Sequence, residues 1–441
     1  MRNNPLSKIR LKEITSRIGD GLHGTPDYIE QGEIYFVNGV NLQNGKIIIT
    51  DDTKKISIQE YEDNFIDLNE KTLLMSINGT IGKMAFYNGE QIMLGKSAAY
   101  LNFKDDLNVF YYYYFQLKNV NQYLYNVATG STIKNLGLKT LGETLVPNIE
   151  INYAKQIAKV LSDLDAKIEV NNQINAKLEA MAKSLYDYWF VKFDFPFDFA
   201  QGKPSLNGKP YKSSGGKMVF NDELKREIPK GWEVKSLVDI ANFKNGIACQ
   251  KYRPVEADKY LNVIKIREMR DGFTSNTERV RDDLSNDIII NDGDILFSWS
   301  ASLIVQIWAG GKGALNQHIF KVTSDNYPRS LVYFETLEYL KYFQKVAELR
   351  KTTMGHITKE HLLASRICVP PENKLDDCLN QTDKILDKIV INKKQNQKLA
   401  ELRDWLLPML MNGQVSVGDA KEYVSGDHGE LGMVAESGEE V

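Results

Sequence analysis

Two long stretches of the chain carry apolar residues at steps of three and four, the spacing of an amphipathic helix. We predict helices over residues 151–190 and 373–413. The predicted seam of the first helix is Leu161, Leu164, Ile168, Leu178 and Leu185, and that of the second is Ile385, Ile389, Leu399 and Leu406. A constant offset of 221 places Ile389 on Ile168, Leu399 on Leu178 and Leu406 on Leu185. This alignment indicates that one helix is a copy of the other.

Asparagines interrupt both seams at corresponding places, Asn171 and Asn175 in the first and Asn392 and Asn396 in the second. A polar residue in a helical seam costs stability but fixes the register of the pair. We therefore predict that the two helices form an antiparallel coiled coil. The alternative is that each is an independent amphipathic helix packed on its own domain.

The rest of the chain predicts a mixed globule of strands and helices that occurs twice. Apolar runs ending in serine recur at 73–76 and 295–298, and a Val-Pro pair closes each half, at 146–147 and 369–370. Strands are predicted over 34–37, 46–50 and 73–77, and helices over 111–125 and 330–349. The predicted fold class is α+β: two mixed α/β globules in tandem duplication, separated by two long helices in an antiparallel coiled coil, with pseudo-twofold symmetry.

These patterns divide the chain into six segments. They are a first globule at 1–150, a first helix at 151–190, a connector at 191–230, a second globule at 231–372, a second helix at 373–413 and an acidic tail at 414–441. The connector is rich in Pro and Gly and has little that could build a core. Its four alternating phenylalanines are expected to pack over a neighbouring helix.

The order of these segments predicts a reader of two separate sites. Each globule enters its helix at the N-terminus, so antiparallel helices would place the globules at opposite ends of a rod. About 30 helical residues at ~1.5 Å each span on the order of 45 Å. One turn of B-DNA is ~34 Å. Two unlike globules held at that separation could contact two parts of an asymmetric DNA target.

The charge of the chain permits this interpretation without demanding it. The whole chain carries −3, but seven acidic residues against one lysine give the tail from Gln414 a charge of −6, so residues 1–413 carry +3. The tail is expected to be disordered.

Three cysteines without CxxC spacing argue against a disulfide framework and a zinc site. No apolar run is long enough for a membrane helix, and we expect a cytoplasmic protein.

Several local motifs then resemble one known family. Gly24-Thr25-Pro26, the run at 40–45 and the turn Ser76-Ile77-Asn78-Gly79-Thr80-Ile81-Gly82 resemble a target-recognition domain, and 292–298 with 315–318 resemble its second copy. In this order, together with both helices, the chain resembles the specificity subunit of type I restriction–modification systems over residues 1–413. One departure is Trp299-Ser300-Ala301-Ser302, which replaces the Asn-Gly-Thr turn and predicts that the two domains contact DNA through different positions.

The resemblance implies double-stranded DNA as ligand, and two methyltransferase subunits and restriction subunits as partners. S-adenosylmethionine and ATP would belong to those partners, so no cofactor is expected on this chain. No nucleophile–base constellation and no metal-ligand cluster is evident in the sequence, and the segment 89–97 is one residue too long for a phosphate-binding loop. We therefore expect a non-catalytic subunit. The alternative function is a tether that holds proteins or surface ligands on a coiled-coil rod.

Base edges are read by polar and basic side chains on rigid loops, and phosphates by Lys, Arg and backbone N–H groups. The candidates in the first globule are His23, Thr25, Asn78, Thr80, Lys83, Lys96 and Ser97. Those in the second are Lys244, Asn245, Gln250, Lys251, Tyr252, Arg253, Ser300, Asn316, Gln317 and His318. Each could instead be a turn residue or solvated surface.

Overall fold

The chain divides into two units, and each contains part of both long helices. A computed structural model describes residues 7–255, 259–349, 357–371 and 376–425. Unit 1 is Met1–Lys167 with Leu399–Val441, and unit 2 is Ile168–Lys398. The first long helix (Ile151–Tyr186) and the second (Asp376–Met411) therefore each contribute one part to unit 1 and another part to unit 2.

Unit 1 is built around a four-stranded antiparallel sheet. The strands of unit 1 are β1 (Lys8–Arg10), β2 (Thr15–Asp20), β3 (Ile34–Val37), β4 (Leu42–Gln43), β5 (Lys46–Ile47), β6 (Lys55–Ile56), β7 (Thr72–Ser76), β8 (Met84–Phe86), β9 (Ile92–Leu94), β10 (Ala98–Phe103) and β11 (Leu145–Pro147). The main sheet has the order β2-β10-β7-β8, and a second sheet has the order β6-β3-β9 with β3 and β9 parallel. Pairing of β1 with β11 closes the globule.

The helices of unit 1 cover a sheet whose central strands are buried on both faces. They are α1 (Leu11–Ile14), α2 (Ile58–Asp63), α3 (Asn108–Gln116), α4 (Lys118–Val127), α5 (Leu138–Glu143), the start of α6 (Ile151–Tyr186) and the end of the second long helix. The single helix predicted over 111–125 is wrong, because Leu117 has an extended ψ of 130° and separates α3 from α4. The buried aromatic rings of α3 lie in one core with Leu161, Leu164 and Leu406.

Unit 2 repeats this topology. Its strands are β12 (Pro196–Asp198), β13 (Lys203–Pro204), β14 (Lys209–Pro210), β15 (Met218–Asn221), β16 (Arg226–Pro229), β17 (Glu233–Lys235), β18 (Asn242–Asn245), β19 (Tyr260–Ile264), β20 (Arg279–Arg281), β21 (Ile289–Ile290), β22 (Ile295–Ser298), β23 (Ile304–Ile307), β24 (Gly313–Leu315), β25 (Ile319–Thr323) and β26 (Ile367–Val369). The order β18-β25-β22-β23 matches the main sheet of unit 1, and β17 closes on β26 as β1 closes on β11. The predicted duplication is confirmed.

The remaining elements of unit 2 are helices and the second sheet. The helices are the second part of α6, α7 (Leu237–Ile240), α8 (Ile266–Asp271), α9 (Arg329–Leu349), α10 (Lys359–Leu363) and most of α11 (Asp376–Met411). The second sheet has the order β20-β19-β24-β21, with β19 and β24 parallel, as β3 and β9 are in unit 1. Both units thus carry a parallel strand pair beside an antiparallel sheet.

The two long helices run antiparallel within unit 2. Asn171 Nδ2 donates to Asn396 Oδ1 at 2.8 Å, and Asn392 Nδ2 donates to Asn175 Oδ1 at 2.9 Å. The partner on α11 moves toward the N-terminus as the residue on α6 moves toward the C-terminus, which defines an antiparallel pair. The predicted coiled coil is confirmed, and its asparagines bind one another.

The same direction holds inside unit 1. Arg403 donates to Asp165 Oδ1 at 2.6 Å, and Tyr113 on α3 donates to Asp165 Oδ2 at 2.6 Å. Burial and the hydrogen bond to Asp165 raise the pKa of the Tyr113 hydroxyl, so it stays protonated. The predicted seam residues Ile168, Leu178, Leu185, Ile385 and Leu399 are partly buried, and Ile389 is fully buried.

The predicted connector is folded and contributes to a core. It contains the sheet β13-β12-β14 and the hairpin β15–β16. Phe195 stacks on Tyr211 with ring centroids 4.7 Å apart, and both are buried in one cluster with Trp189. The expectation of little core was wrong, because aromatic residues spaced along short strands bury enough area without a long apolar run.

The predicted disorder of the tail is also wrong for its first part. Residues Val417–Ser425 form α12, whose Val417 and Ala420 are buried, and Tyr423 packs on Trp405 at 5.2 Å between ring centroids. Apolar residues at helical spacing outweigh the acidic composition here. Residues 426–441 lie outside the described part of the chain.

Candidate nucleic-acid interface

In unit 1, a tight turn follows β7 and presents three of the predicted site residues. Ser76 holds this turn: its Oγ donates to the carbonyl of Thr80 and accepts from the Lys83 backbone N–H at 3.0 Å. Gly79 supplies a left-handed φ of +75° that the turn requires. Thr80 and Lys83 are exposed, and Asn78 is half-buried. The turn is therefore a rigid loop with polar side chains on its outer surface.

A second loop of unit 1 lies beside the turn that precedes β10. Leu22 bridges Gly95 in parallel, and a Cβ on Gly21 would lie 1.8 Å from the Leu94 carbonyl oxygen, so only glycine allows this approach. The Lys96 backbone N–H donates to the Leu22 carbonyl at 3.0 Å, and both Lys96 and the neighbouring His23 are exposed. Thr25 is also exposed.

Two predicted residues in this region have internal hydrogen bonds. The His23 ring lies 2.9 Å from Asp20 Oδ2. Ser97 Oγ donates to Asn38 Oδ1 at 2.8 Å and accepts from the Gly39 N–H at 2.9 Å. The Ser97 hydroxyl therefore joins two loops and is less available to DNA than the exposed Lys96.

Unit 2 repeats the turn with different residues. Ser298 Oγ donates to the Ser302 carbonyl at 2.7 Å, as Ser76 does to Thr80. Ala301 adopts a φ of +57°, where unit 1 has Gly79. Ser300, a predicted contact residue, has only 3% of its surface exposed. Its burial removes it from the candidate surface.

The parallel bridge between Leu22 and Gly95 of unit 1 has a counterpart in unit 2. Ile247 bridges Asn316 in parallel, and a Cβ on Gly246 would lie 2.3 Å from the Asn316 carbonyl oxygen. Asn316 is buried, and its Oδ1 accepts from the His318 N–H at 3.3 Å. Asn316 was predicted as a contact residue, and its position instead supports the loop.

The other predicted residues of unit 2 lie around this loop. Gln250 and Lys251 are exposed on a short 3-10 helix (Cys249–Tyr252), and Arg253 follows it, also exposed. Lys244 donates to Asp287, and this contact, with a hydrogen bond from Ser285, lowers the pKa of the Asp287 carboxyl to about 2. The charge of Lys244 is therefore partly offset, whereas neither Lys251 nor Arg253 has an acidic partner among the described residues.

Gln317 and His318 form a third part of this surface. Both are half-buried, and Gln317 Nε2 lies 3.2 Å from His318 Nε2. His318 packs against Trp299 with ring centroids 5.6 Å apart. Trp299 Nε1 in turn donates to Asn245 Oδ1 at 3.0 Å. Asn245, Trp299 and His318 therefore form one connected cluster.

Sequence reasoning missed two arginines beside the 3-10 helix. On β20, the Arg279 guanidinium lies 4.2 Å over the Tyr260 ring and that of Arg281 lies 5.6 Å over the Tyr252 ring. Val280 between them is buried. The alternation Arg-Val-Arg was the available signal, because it places both arginines on one face of a strand. Arg281 is also paired with Asp283 at 2.8 Å, which partly offsets its charge. We call Arg279 and Arg281, together with Lys251, Arg253 and the two tyrosines, the arginine–tyrosine patch.

Three further properties of the described residues concern metal ions, membranes and thiols. No three His, Cys, Asp or Glu side chains in that part of the chain come together in a way that could hold a metal ion. None of the helices described is both long and apolar enough to cross a membrane. Cys249 and Cys368 are buried free thiols, and burial raises the pKa of Cys368 to about 12.

Comparison with known proteins gives a consistent result. The type I restriction modification DNA specificity domain matches residues 8–180 and again 229–402. The type I restriction enzyme MjaIX specificity subunit of Methanocaldococcus jannaschii is 27% identical over 320 residues, which are 69% of this chain and 68% of that protein. The HindI specificity subunit of Haemophilus influenzae is 24% identical over 59% of this chain and 67% of its own length.

A solved structure has the same fold. The S subunit of a type I restriction-modification system from M. genitalium is similar with a TM-score of 0.55 and 17% identity, over 93% of this chain and 97% of that one.

Proposed function

Because this chain belongs to the family of type I restriction–modification DNA specificity proteins, we propose that its two units read the two parts of one asymmetric DNA target. The chain is a DNA-sequence-specificity subunit, and both matched segments contain one globule and part of one long helix. Each globule would then act as a target-recognition domain.

One observation carries this proposal. Both units use the same strand order and the same serine-held turn, yet the turn presents Asn78 and Thr80 in unit 1 and Ser302 in unit 2, where Ser300 is buried. Base edges are distinguished by side-chain donors and acceptors. Two units with the same strand order but different side chains on their loops would therefore read different base sequences. The target would therefore have two unlike halves.

The chemistry would come from partner subunits. The chain would direct two methyltransferase subunits and restriction subunits to the target, with S-adenosylmethionine and ATP bound by those partners in the cytoplasm. Val170, Ile174 and Met181 form an exposed apolar strip on α6 in unit 2. This strip favours the proposal that a partner subunit docks on the helix. These residues are 52, 40 and 47% exposed, and the neighbouring surface of α11 adds Ile391.

A binding assay tests the proposal against the tether alternative. The chain, purified with its cognate methyltransferase subunit, is titrated with random-sequence duplexes in a mobility-shift assay at several salt concentrations. We expect binding that weakens as salt rises, because contacts to phosphates release counterions. Selection and sequencing of the bound duplexes should enrich a two-part motif. A complex that binds no duplex at low salt would favour the tether.

A further inference from the structure

We propose that Asn245 reads its base with hydrogen-bond donors only, and that Trp299 is the positioning residue that imposes this orientation. The proposal rests on the proposed function, since it assigns a role within the DNA-reading surface of unit 2. It goes further by naming the kind of base edge that one residue selects.

The Trp299 indole fixes the orientation of the Asn245 amide. An indole N–H can only donate a hydrogen bond, so the Asn245 atom 3.0 Å from Trp299 Nε1 must be the carbonyl oxygen Oδ1. The amide NH₂ therefore points away from Trp299. The contact between Gln317 and His318 does not orient Gln317 in the same way, because a histidine ring nitrogen can donate or accept.

The Trp299 indole is itself held rigidly by its neighbours. The Trp299 backbone N–H donates to the His318 carbonyl at 3.3 Å, and its carbonyl accepts from the Ile357 N–H at 3.0 Å. The ring packs against His318 and against Phe320, whose centroid lies 5.8 Å away. The indole is therefore held from both backbone and side-chain directions, and so is the amide bound to it.

Asn245 presents its NH₂ group to solvent. Asn245 is exposed at the end of β18, and within the part of the chain that the structure describes its NH₂ group donates to no residue. The corresponding strand of unit 1 ends at Asp20, a carboxylate that can only accept and that binds His23. Equivalent positions thus present a donor in one unit and an acceptor in the other.

These orientations have a direct consequence for base recognition. Asparagine usually reads adenine with both ends of its amide, accepting from N6 and donating to N7. Trp299 engages one of the two lone pairs of Oδ1, so the NH₂ group is the end of the Asn245 amide that is left without a partner among the described residues. The base edge that best matches two donors is guanine, whose N7 and O6 both accept. We therefore assign Asn245 to a guanine in the half-site read by unit 2.

The direct test inverts the polarity of Asn245 while keeping its shape. Asn245→Asp retains the acceptor for Trp299 and replaces NH₂ by oxygen. The recognised motif is read by methylome sequencing of cells that carry this chain and its cognate methyltransferase subunit. We expect one position of one half-site to change from guanine to a base with an amino donor, cytosine or adenine. The original target should be methylated roughly tenfold to a hundredfold less efficiently.

A second variant tests the role of Trp299. Trp299→Phe keeps an aromatic ring against His318 but removes the N–H, which frees Oδ1 of Asn245. Adenine should then be accepted at the same position, while the other half-site stays unchanged. The matched control is Trp308→Phe, which removes the hydrogen bond from a buried indole to the Gly311 carbonyl in the core of unit 2. This control should leave both half-sites as they are.

The outcomes separate this inference from the function on which it rests. If the unaltered protein yields no two-part motif, the proposed function fails. If it yields one and Asn245→Asp leaves both half-sites unchanged, only the inference fails. Should Asn245→Asp abolish methylation, the purified complex is tested on duplexes with each of the four bases at the guanine position. A preference for cytosine or adenine supports the inference, and equal loss on all four overturns it.

Discussion

Asn392 donates a hydrogen bond from Nδ2 to Oδ1 of Asn175 at 2.9 Å, and both side chains are buried in the helical pair of unit 2. Nδ2 of Asn175 is buried and has no hydrogen-bond partner in the described structure. A buried polar group without a partner costs stability, so this pair is retained at some energetic expense. Its benefit is register, because asparagines can bind one another only when the helices are correctly aligned.

Leucine substitutions at Asn175 and Asn392 test whether this asparagine pair costs stability. Asn392→Leu alone leaves the Asn175 amide without any partner and should lower the free energy of unfolding by about 1–3 kcal/mol. The double variant with Asn175→Leu should melt at or above the temperature of the unaltered protein. Thermal melting followed by circular dichroism measures both. Asn380→Leu, an exposed position on the same helix, is the control. Equal melting temperatures for the single and double variants would contradict the account.

The serine-held turns predict opposite effects of reciprocal substitutions. Ala301 has a φ of +57°, a left-handed conformation that costs an alanine roughly 1–2 kcal/mol. Ala301→Gly should therefore stabilise unit 2, by up to about 1 kcal/mol after the entropic cost of glycine. Gly79→Ala should destabilise unit 1 by about 1 kcal/mol, although a Cβ there has open space. Gly24→Ala, which also has open space but no positive φ, should have little effect in the same denaturant titration.

Stability should fall as the pH rises through neutrality because of Glu335. Burial raises the pKa of this carboxyl from 4.5 to about 8, and its hydrogen bond with Tyr186 opposes that shift only partly. Between pH 4.5 and 8 the unfolded chain loses the proton while the folded chain keeps it, so unfolding becomes easier with each pH unit. Melting temperatures from pH 5 to 9 measure the trend. Glu335→Gln should flatten it, and the exposed Glu227→Gln should not.

The arginine–tyrosine patch predicts how basic residues of unit 2 contribute to DNA binding. Lys251→Ala or Arg253→Ala should weaken binding by roughly 1–3 kcal/mol if the residue reads a base. If it contacts a phosphate instead, affinity should fall on all sequences and the salt slope should decrease by about one. Lys225→Ala, a largely exposed lysine paired with Asp222, is the matched control. Unchanged affinity together with an unchanged salt slope would exclude the residue from the interface.

The long helices could be predicted from the sequence because their signal is local. Apolar steps and the positions of Asn171 and Asn396 are visible within single stretches of chain, and the structure pairs them as expected. Loop positions are different, because their burial depends on distant residues. Ser300 and Asn316 have polar side chains that suggest surface contacts, but both are buried in the folded chain.

The same reason explains why the cluster of Asn245 and Trp299 was only partly found. Asn245 was predicted as a contact residue from its type and place, but Trp299 was treated as a departure from a turn motif. Their hydrogen bond joins residues 54 positions apart, and only the pairing of β18 with β25 and of β25 with β22 brings them together. Local patterns carry no information about such a contact.

The central claim is that two unlike domains in one chain read two unlike parts of a single DNA target. Methylome sequencing of cells that express the unaltered chain with its cognate methyltransferase subunit tests it most directly. The account predicts one asymmetric motif, two short specified sequences separated by a spacer of constant length. A single continuous motif, a symmetric one, or no new methylation from an assembled complex would contradict it.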